Sequence, residues 1–199
     1  KHPPIKEIEP GIFEIGKVRF NKESRTISFP AEINMTNGPV EYLLVTAVGK
    51  LHESVLRTDV EPMHIHVAAL LLGAKGAQTN LTVQAFNTRE IPGEKVQLFI
   101  ETTEKPAKIP AEQLVFNTKE SKIMTKGPWV YNGSQLHGGT FIAQRDGLVI
   151  SIMTDPLALI NNPRPGREND EIWQVHTPNT PPLNSAVQFH IIFQQKEKE

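Results

Sequence analysis

The sequence contains no cysteine. Disulfides, thiol nucleophiles, iron–sulfur ligation and thiolate zinc sites are therefore excluded. It also lacks an excess of either charge, because 21 Lys and Arg residues stand against 22 Asp and Glu residues, a formal net charge of −1. Since no basic surface would attract nucleic acid or anionic lipid, we expect neither as a partner.

Long apolar runs are absent as well. The longest, residues 67–72, falls far short of the roughly 20 residues that a membrane helix needs, so we expect no transmembrane segment in this chain. The sequence opens at Lys1 rather than at methionine. This favours a removed signal peptide or an upstream lipid-anchor segment, although a trimmed chain would look the same. We therefore expect an exported protein that is periplasmic or membrane-anchored.

The common catalytic motifs are missing too. There is no Gly-x-Ser-x-Gly elbow, no Gly-x-Gly-x-x-Gly turn and no phosphate loop. Gly133-Ser134 before His137-Gly138-Gly139 is only a faint likeness to an esterase oxyanion loop. No catalytic residue is predicted from these patterns.

What the sequence does contain is many short apolar runs separated by its 16 prolines and 13 glycines, which is typical of short elements joined by turns. One segment has helical spacing, from Pro62 to a stop at Gly73, and predicts a helix over residues 62–72. Asp155-Pro156 predicts a short helical turn over 156–161. Arg145-Asp146-Gly147 lies between apolar runs and predicts a hairpin. We predict an α+β fold, a mostly antiparallel β-sheet with one main helix.

Domain organisation follows from composition. Residues 1–10 carry three prolines and alternating charge, which predicts a tether. Residues 11–194 are predicted to form a single domain, and residues 195–199 a charged tail.

The densest group of chemically useful side chains is His52, Glu53, Asp59, His64 and His66. Imidazole and carboxylate together suit zinc. Two residues apart on a helix, however, side chains diverge by about 200°. Only one of His64 and His66 could then face a site beside His52. The candidate metal ligands are thus His52 and His66, and zinc is the one cofactor considered, with none otherwise predicted.

Two groups of residues each have two possible roles. His52, Glu53 and Asp59 could contact a ligand, or His52 and Glu53 could satisfy backbone groups where the chain bends towards the helix. Trp129 and Tyr131 could form a stacking platform for a ligand, or could fill the edge of the core.

One set of segments recurs in the same order in a known family: Val40–Val45, Gly49–Ser54, Thr58–Pro62, Ala68–Gly73, Trp129, Asn132–Ser134, Asp155–Leu159 and Asn169–Trp173. Through these segments the chain resembles the YdjY-like domain family of bacterial proteins, with matches between about residues 12 and 193. The resemblance implies an exported or lipid-anchored setting and implies no activity.

Two functions are consistent with these observations. The first is a non-enzymatic extracytoplasmic domain that binds a small ligand or an envelope protein, or supports an envelope assembly. The second is a metal- or carboxylate-dependent enzyme with a site near His52, Glu53 and Asp59. An enzyme should bring these side chains together in a concave pocket with shifted pKa values, and a binding domain need not.

Overall fold

Strands form most of the molecule. The structure is a computed structural model that describes residues 3–78, 82–88, 90–102 and 107–195. The helices are α1 (Pro62–Leu71), α2 (Val83–Thr88) and α3 (Ile142–Asp146). The strands are β1 (Lys6–Glu9), β2 (Ile12–Ile15), β3 (Val18–Asn21), β4 (Thr26–Ile33), β5 (Tyr42–Thr46), β6 (Ser54–Thr58), β7 (Glu94–Thr102), β8 (Ile109–Pro110), β9 (Val115–Asn117), β10 (Lys122–Ile123), β11 (Trp129–Tyr131), β12 (Leu136–His137), β13 (Thr140–Phe141), β14 (Leu148–Ser151), β15 (Ile160–Asn161), β16 (Trp173–Val175) and β17 (Ala186–Phe193).

Eight of these strands close into a barrel. Around the barrel they run β4, β17, β7, β11, β15, β14, β5 and β6, and β6 pairs again with β4. β5 with β6 and β14 with β15 are parallel, and the other neighbours are antiparallel. The meander β1–β2–β3 extends from one edge of β4. Small sheets β10–β9–β16 and β12–β13 lie outside the barrel.

The core follows from alternation along the longest strands. In β4, Ile27, Phe29, Ala31 and Ile33 are buried, and the residues between them are at least partly exposed. β17 pairs with β4 along its length, and its Phe189 ring stacks on Phe29 with centroids 5.5 Å apart. Because side chains of a strand alternate between its two faces, this period of two gives the barrel one apolar wall.

The predicted fold class is wrong. The protein is mostly β, with a closed eight-stranded barrel and, within the described residues, three small helices; it is not an α+β sheet with one main helix. The barrel closes where β6 pairs with β4. Patterns within each segment report which residues face the core but carry no information on that distant pairing.

Of three predictions of local structure, the helix at Pro62 is confirmed and the other two are wrong. A helix does begin at Pro62, and Gly73, with φ of 71°, follows its end. Residues 156–161 do not form a helical turn: Asp155 accepts a hydrogen bond from the Leu157 amide at 2.9 Å, but the chain then enters β15. The hairpin at 145–147 is also wrong, since Gly147 ends helix α3 in the left-handed conformation and β13 pairs with β12.

The N-terminal tether and the C-terminal charged tail remain predictions. Within the predicted tether 1–10, residues 6–9 form the exposed strand β1, paired with β2. Of the predicted tail, residues 196–199 lie outside the described residues. Among the residues that the structure describes, no helix has the length and apolar character needed to cross a membrane.

Candidate functional site

A groove of about 350 Å³ lies where β4 and β6 close the barrel. We call it the seam groove. Its lining combines small apolar side chains with two acidic and two basic ones: Lys17, Pro30, Ala31, Glu32, Ala47, Arg57, Thr58, Asp59, Ala186 and Val187. The volume lies at the lower end of the range for ligand sites in proteins.

The groove exists because β4 changes its partner along one edge. The first half of β4 pairs with β3, through Arg19 opposite Ser28, and the second half pairs with β6, through Glu32 opposite Arg57. Pro30 stands between the two ladders and has no N–H to donate. Its carbonyl instead accepts a hydrogen bond from the Thr58 hydroxyl at 2.7 Å. β3 and β6 therefore diverge here and leave an open gap.

Two ion pairs flank the gap. Nε and Nη2 of Arg57 donate to Glu32 Oε2 at 3.1 and 2.8 Å, and Nη2 also donates to Asn184 Oδ1 at 3.2 Å. Lys17 pairs with Asp59. The four charged side chains are between 40% and 65% exposed, so each pair stabilises the fold by only about 0–1 kcal/mol. A ligand can therefore open either pair at small cost.

A second polar group, the Tyr42 cluster, lies at the opposite ends of β5 and β6. It consists of Glu41, Tyr42, Lys50, Glu53 and Asp155. Lys50 Nζ lies 3.0 Å from Glu41 Oε2 and 2.7 Å from Glu53 Oε1, and the Tyr42 hydroxyl donates to Asp155 Oδ2 at 2.8 Å. Lys50 Nζ also lies over the Tyr42 ring, 5.4 Å from its centroid.

Burial sets the protonation of the Tyr42 cluster. Desolvation, with the nearby Asp155 charge, raises the pKa of Tyr42 far above its ordinary value, so the phenol stays protonated and acts as a donor. Desolvation also raises the pKa of Asp155, although hydrogen bonds from Leu157 and Tyr42 oppose it. A firmly protonated phenol cannot serve as a general base near neutral pH.

The structure separates the side chains that the sequence grouped around His52. His52 is 80% exposed, with Nε2 3.6 Å from Glu53 Oε2, and Glu53 belongs to the Tyr42 cluster. Asp59 belongs to the seam groove. β6 runs between Glu53 and Asp59, a span of six residues or about 20 Å of strand. His52, Glu53 and Asp59 therefore do not share one pocket.

The two helical histidines have different surroundings. His66 Nδ1 lies 2.8 Å from the Tyr131 hydroxyl, and its ring lies 4.8 Å from Phe141. His64 is buried, with Nε2 3.7 Å from Glu61 Oε2. The contacts of His66 include none with His52, its predicted partner in a metal site. Within the described ranges, no group of three or more His, Asp or Glu side chains is arranged to hold a metal ion.

The aromatic pair of the predicted stacking platform lies in the core. Trp129 is 0% and Tyr131 1% exposed. The Arg164 guanidinium covers the Trp129 ring, 5.1 Å from its centroid. In this structure neither side chain presents a ring face to solvent.

Of the residues predicted from the sequence to bind a ligand, Asp59 lines the seam groove, and the other charged residues of the groove were not predicted. Lys17, Glu32 and Arg57 come from three separate segments, and nothing in their local sequence links them. Pro30 was the available signal, since proline within an alternating strand marks an edge or a break in the ladder.

The comparisons with known proteins agree with the resemblance. The family model of the YdjY domain matches residues 18–187, which include all of the seam groove except Lys17. No curated protein and no solved structure matches the chain. The chain therefore belongs to the YdjY domain family.

Proposed function

We propose that this protein is a non-enzymatic extracytoplasmic binding domain and that the seam groove is its binding site. The observation that carries the proposal is the groove itself, with exposed charges of both signs around a floor of small apolar side chains. Such a surface offers a ligand both apolar contact and polar recognition. A free ligand or a short segment of an envelope protein could occupy it.

The arrangement of side chains argues against the enzymatic alternative. A metal- or carboxylate-dependent enzyme at His52, Glu53 and Asp59 needs these groups within reach of one substrate. Glu53 and Asp59 instead lie beyond opposite ends of β6, and His52 is a surface side chain. The charged side chains of the seam groove are paired with each other, and no histidine lines it.

The setting rests on the exported or lipid-anchored character that the resemblance implies. A removable leader or a lipid anchor upstream of residue 1 would deliver the domain outside the cytoplasm. The balanced charge of the chain fits a partner that is neither nucleic acid nor an anionic membrane.

An NMR experiment with the whole chain tests the binding site. Backbone amide shifts would be recorded with millimolar amino acids, acetylated tripeptides and monosaccharides as probes. We expect at least one probe to shift the amides of Ala47, Thr58 and Ala186, and Ala186→Trp to abolish these shifts by filling the groove. Ala186 is exposed, so the larger side chain should leave the fold intact.

Leu136→Trp is the matched control. Leu136 is also exposed, at 63%, but lies on β12, away from the groove lining. This variant should keep the response of the parent protein. Shifts confined to the Tyr42 cluster, or shifts that survive Ala186→Trp, would overturn the assignment of the site.

A further inference from the structure

We infer that the seam groove recognises an extended peptide segment in which an acidic and a basic side chain stand two positions apart. This inference rests on the proposed function and names the ligand class. Its first support is the placement of Arg57, on β6, and Asp59, which directly follows the last residue of that strand, Thr58; both line the groove.

The spacing of these charges matches that of an extended peptide. Side chains two positions apart on a strand lie on one face, about 7 Å from each other. Arg57 lies on β6 and Asp59 lies just beyond its end. Both are at least partly exposed, whereas Thr58 and Val60 are buried, which is the alternation expected of an extended chain. A peptide in the same conformation places its own side chains at the same interval, so an acid can meet Arg57 while a base meets Asp59.

The charged groups are open to such an exchange of partners. The contacts of Arg57 among the described residues use Nε and Nη2, which leaves Nη1 for a ligand carboxylate. The Lys17 and Asp59 side chains are 62% and 65% exposed. Exposed ion pairs open at little cost, and a ligand with both charges replaces each lost contact with a new one.

The floor of the groove suits a peptide backbone better than other ligands. Ala47 and Ala186 are small exposed side chains in the lining, which gives a main chain room to approach. None of the ten lining residues is aromatic, so the groove lacks the ring face on which sugars and bases commonly stack.

Titration calorimetry with synthetic peptides tests the inference. The probes are acetyl-Ala-Glu-Ala-Lys-Ala-amide and its reverse sequence, each compared with acetyl-Ala-Glu-Lys-Ala-Ala-amide, which has the same composition but adjacent charges. We expect at least one spaced peptide to bind about tenfold more tightly than the adjacent-charge peptide. Binding should weaken in about 1 M NaCl, where screening acts over about 3 Å.

Variants connect the preference to the groove. Arg57→Gln and Asp59→Asn should each remove the preference for the spaced peptide. Arg145→Gln should retain it, because Arg145 forms an exposed ion pair with Asp146 outside the groove. All three changes lie in exposed or half-exposed side chains, so circular dichroism should show the same fold.

Two failures can be told apart. Equal binding of spaced and adjacent peptides, with NMR shifts still in the groove, would overturn the peptide class and leave the groove as the binding site. An absence of groove shifts with every peptide and every small probe would overturn the proposed function as well.

Discussion

At the residue scale, the half-buried His66 and the buried Tyr131 connect helix α1 to the barrel. His66 lies beside Tyr131, at 2.8 Å between Nδ1 and the phenol oxygen. Burial lowers the pKa of His66, and burial together with the Glu94 charge raises the pKa of Tyr131. Both groups are thus neutral near pH 7, and the hydrogen bond between them joins an uncharged imidazole to a protonated phenol.

This pair predicts an acid-sensitive contribution to stability. A histidine whose pKa is lower in the folded state binds fewer protons there than in the unfolded chain. Its contribution is therefore present above the unfolded value of about 6.5 and is lost as the pH falls through 6.5 towards the folded value. The free energy of unfolding, measured in urea at several pH values, should fall less between pH 7.5 and 5 in His66→Gln than in the parent.

His52→Gln is the control for this measurement, because His52 is 80% exposed. His190 remains in both variants and also has a pKa lowered by burial, so part of the acid sensitivity should persist. An identical pH slope in His66→Gln and the parent would contradict the role of His66.

At the element scale, Arg25 attaches the end of α1 to two strands. Its Nε donates to the Leu72 carbonyl at 3.3 Å, and its Nη1 lies 2.6 Å from Glu94 Oε1 at the start of β7. Nη1 also donates to the Gln194 carbonyl, just beyond β17. Glu94 in turn accepts a hydrogen bond from the Lys75 amide at 3.0 Å. One buried ion pair therefore holds the chain after α1 against the barrel.

Arg25→Met should destabilise the protein by about 3–5 kcal/mol, because it leaves Glu94 as an unpaired charge in a largely buried position. The double variant Arg25→Met/Glu94→Gln should recover part of this loss, since the remaining charge is removed as well. Urea denaturation of the three proteins measures both effects. A double variant no more stable than Arg25→Met would show that the lost contacts to Leu72 and Gln194, rather than the charge, dominate.

At the scale of the whole molecule, the seam is the shortest antiparallel ladder formed by β4. β4 and β6 share two paired positions, Glu32 with Arg57 and Ile33 with Leu56, whereas β4 and β17 share seven. The Thr58 hydroxyl adds its bond to Pro30 across the seam. Short ladders open more readily than long ones, so β4 should separate from β6, where the groove lies, before it separates from β17.

Amide hydrogen exchange checks this expectation. The amides of the β4–β6 ladder should exchange faster than those of the β4–β17 ladder. Thr58→Val removes the hydroxyl without changing the shape of the side chain, and should destabilise the protein by about 1–2 kcal/mol and accelerate exchange at the seam.

Thr180→Val serves as the control, because the Thr180 hydroxyl donates to the His176 carbonyl at 2.9 Å, outside the groove lining. It should leave the exchange at the seam unchanged. Uniform exchange around the barrel would contradict a weak seam.

Prediction from the sequence succeeded where the signal was local. Pro62 begins α1, and Gly73 follows its end, because a proline is tolerated in the first turn and a glycine in the left-handed conformation. Gly147 has the same conformation, but it ends α3 instead of forming a hairpin turn. At Gly73 and Gly147 the glycine thus indicated a backbone with positive φ. It did not indicate whether that backbone ends a helix or forms a hairpin turn.

At the candidate site too, closeness in sequence did not predict closeness in the structure. Asp59 was predicted as a ligand-binding residue and lines the seam groove, but His52 and Glu53 were grouped with it only because they are near in sequence. Residues six apart are close on a helix or in a loop and far apart along a strand. Because β6 is a strand, the predicted group divides between two ends of the barrel.

The sequence by itself determined that cysteine chemistry is excluded, that the chain resembles the YdjY domains, and where α1 begins. Each of these depends on residue identity or on spacing within a few turns of chain. Only the tertiary structure decided that the strands close into a barrel and that charges of both signs meet at its seam. Arg57 contacts Glu32, 25 residues away, and Asn184, 127 residues away, and such pairings arise from the packing of the whole chain rather than from any local pattern.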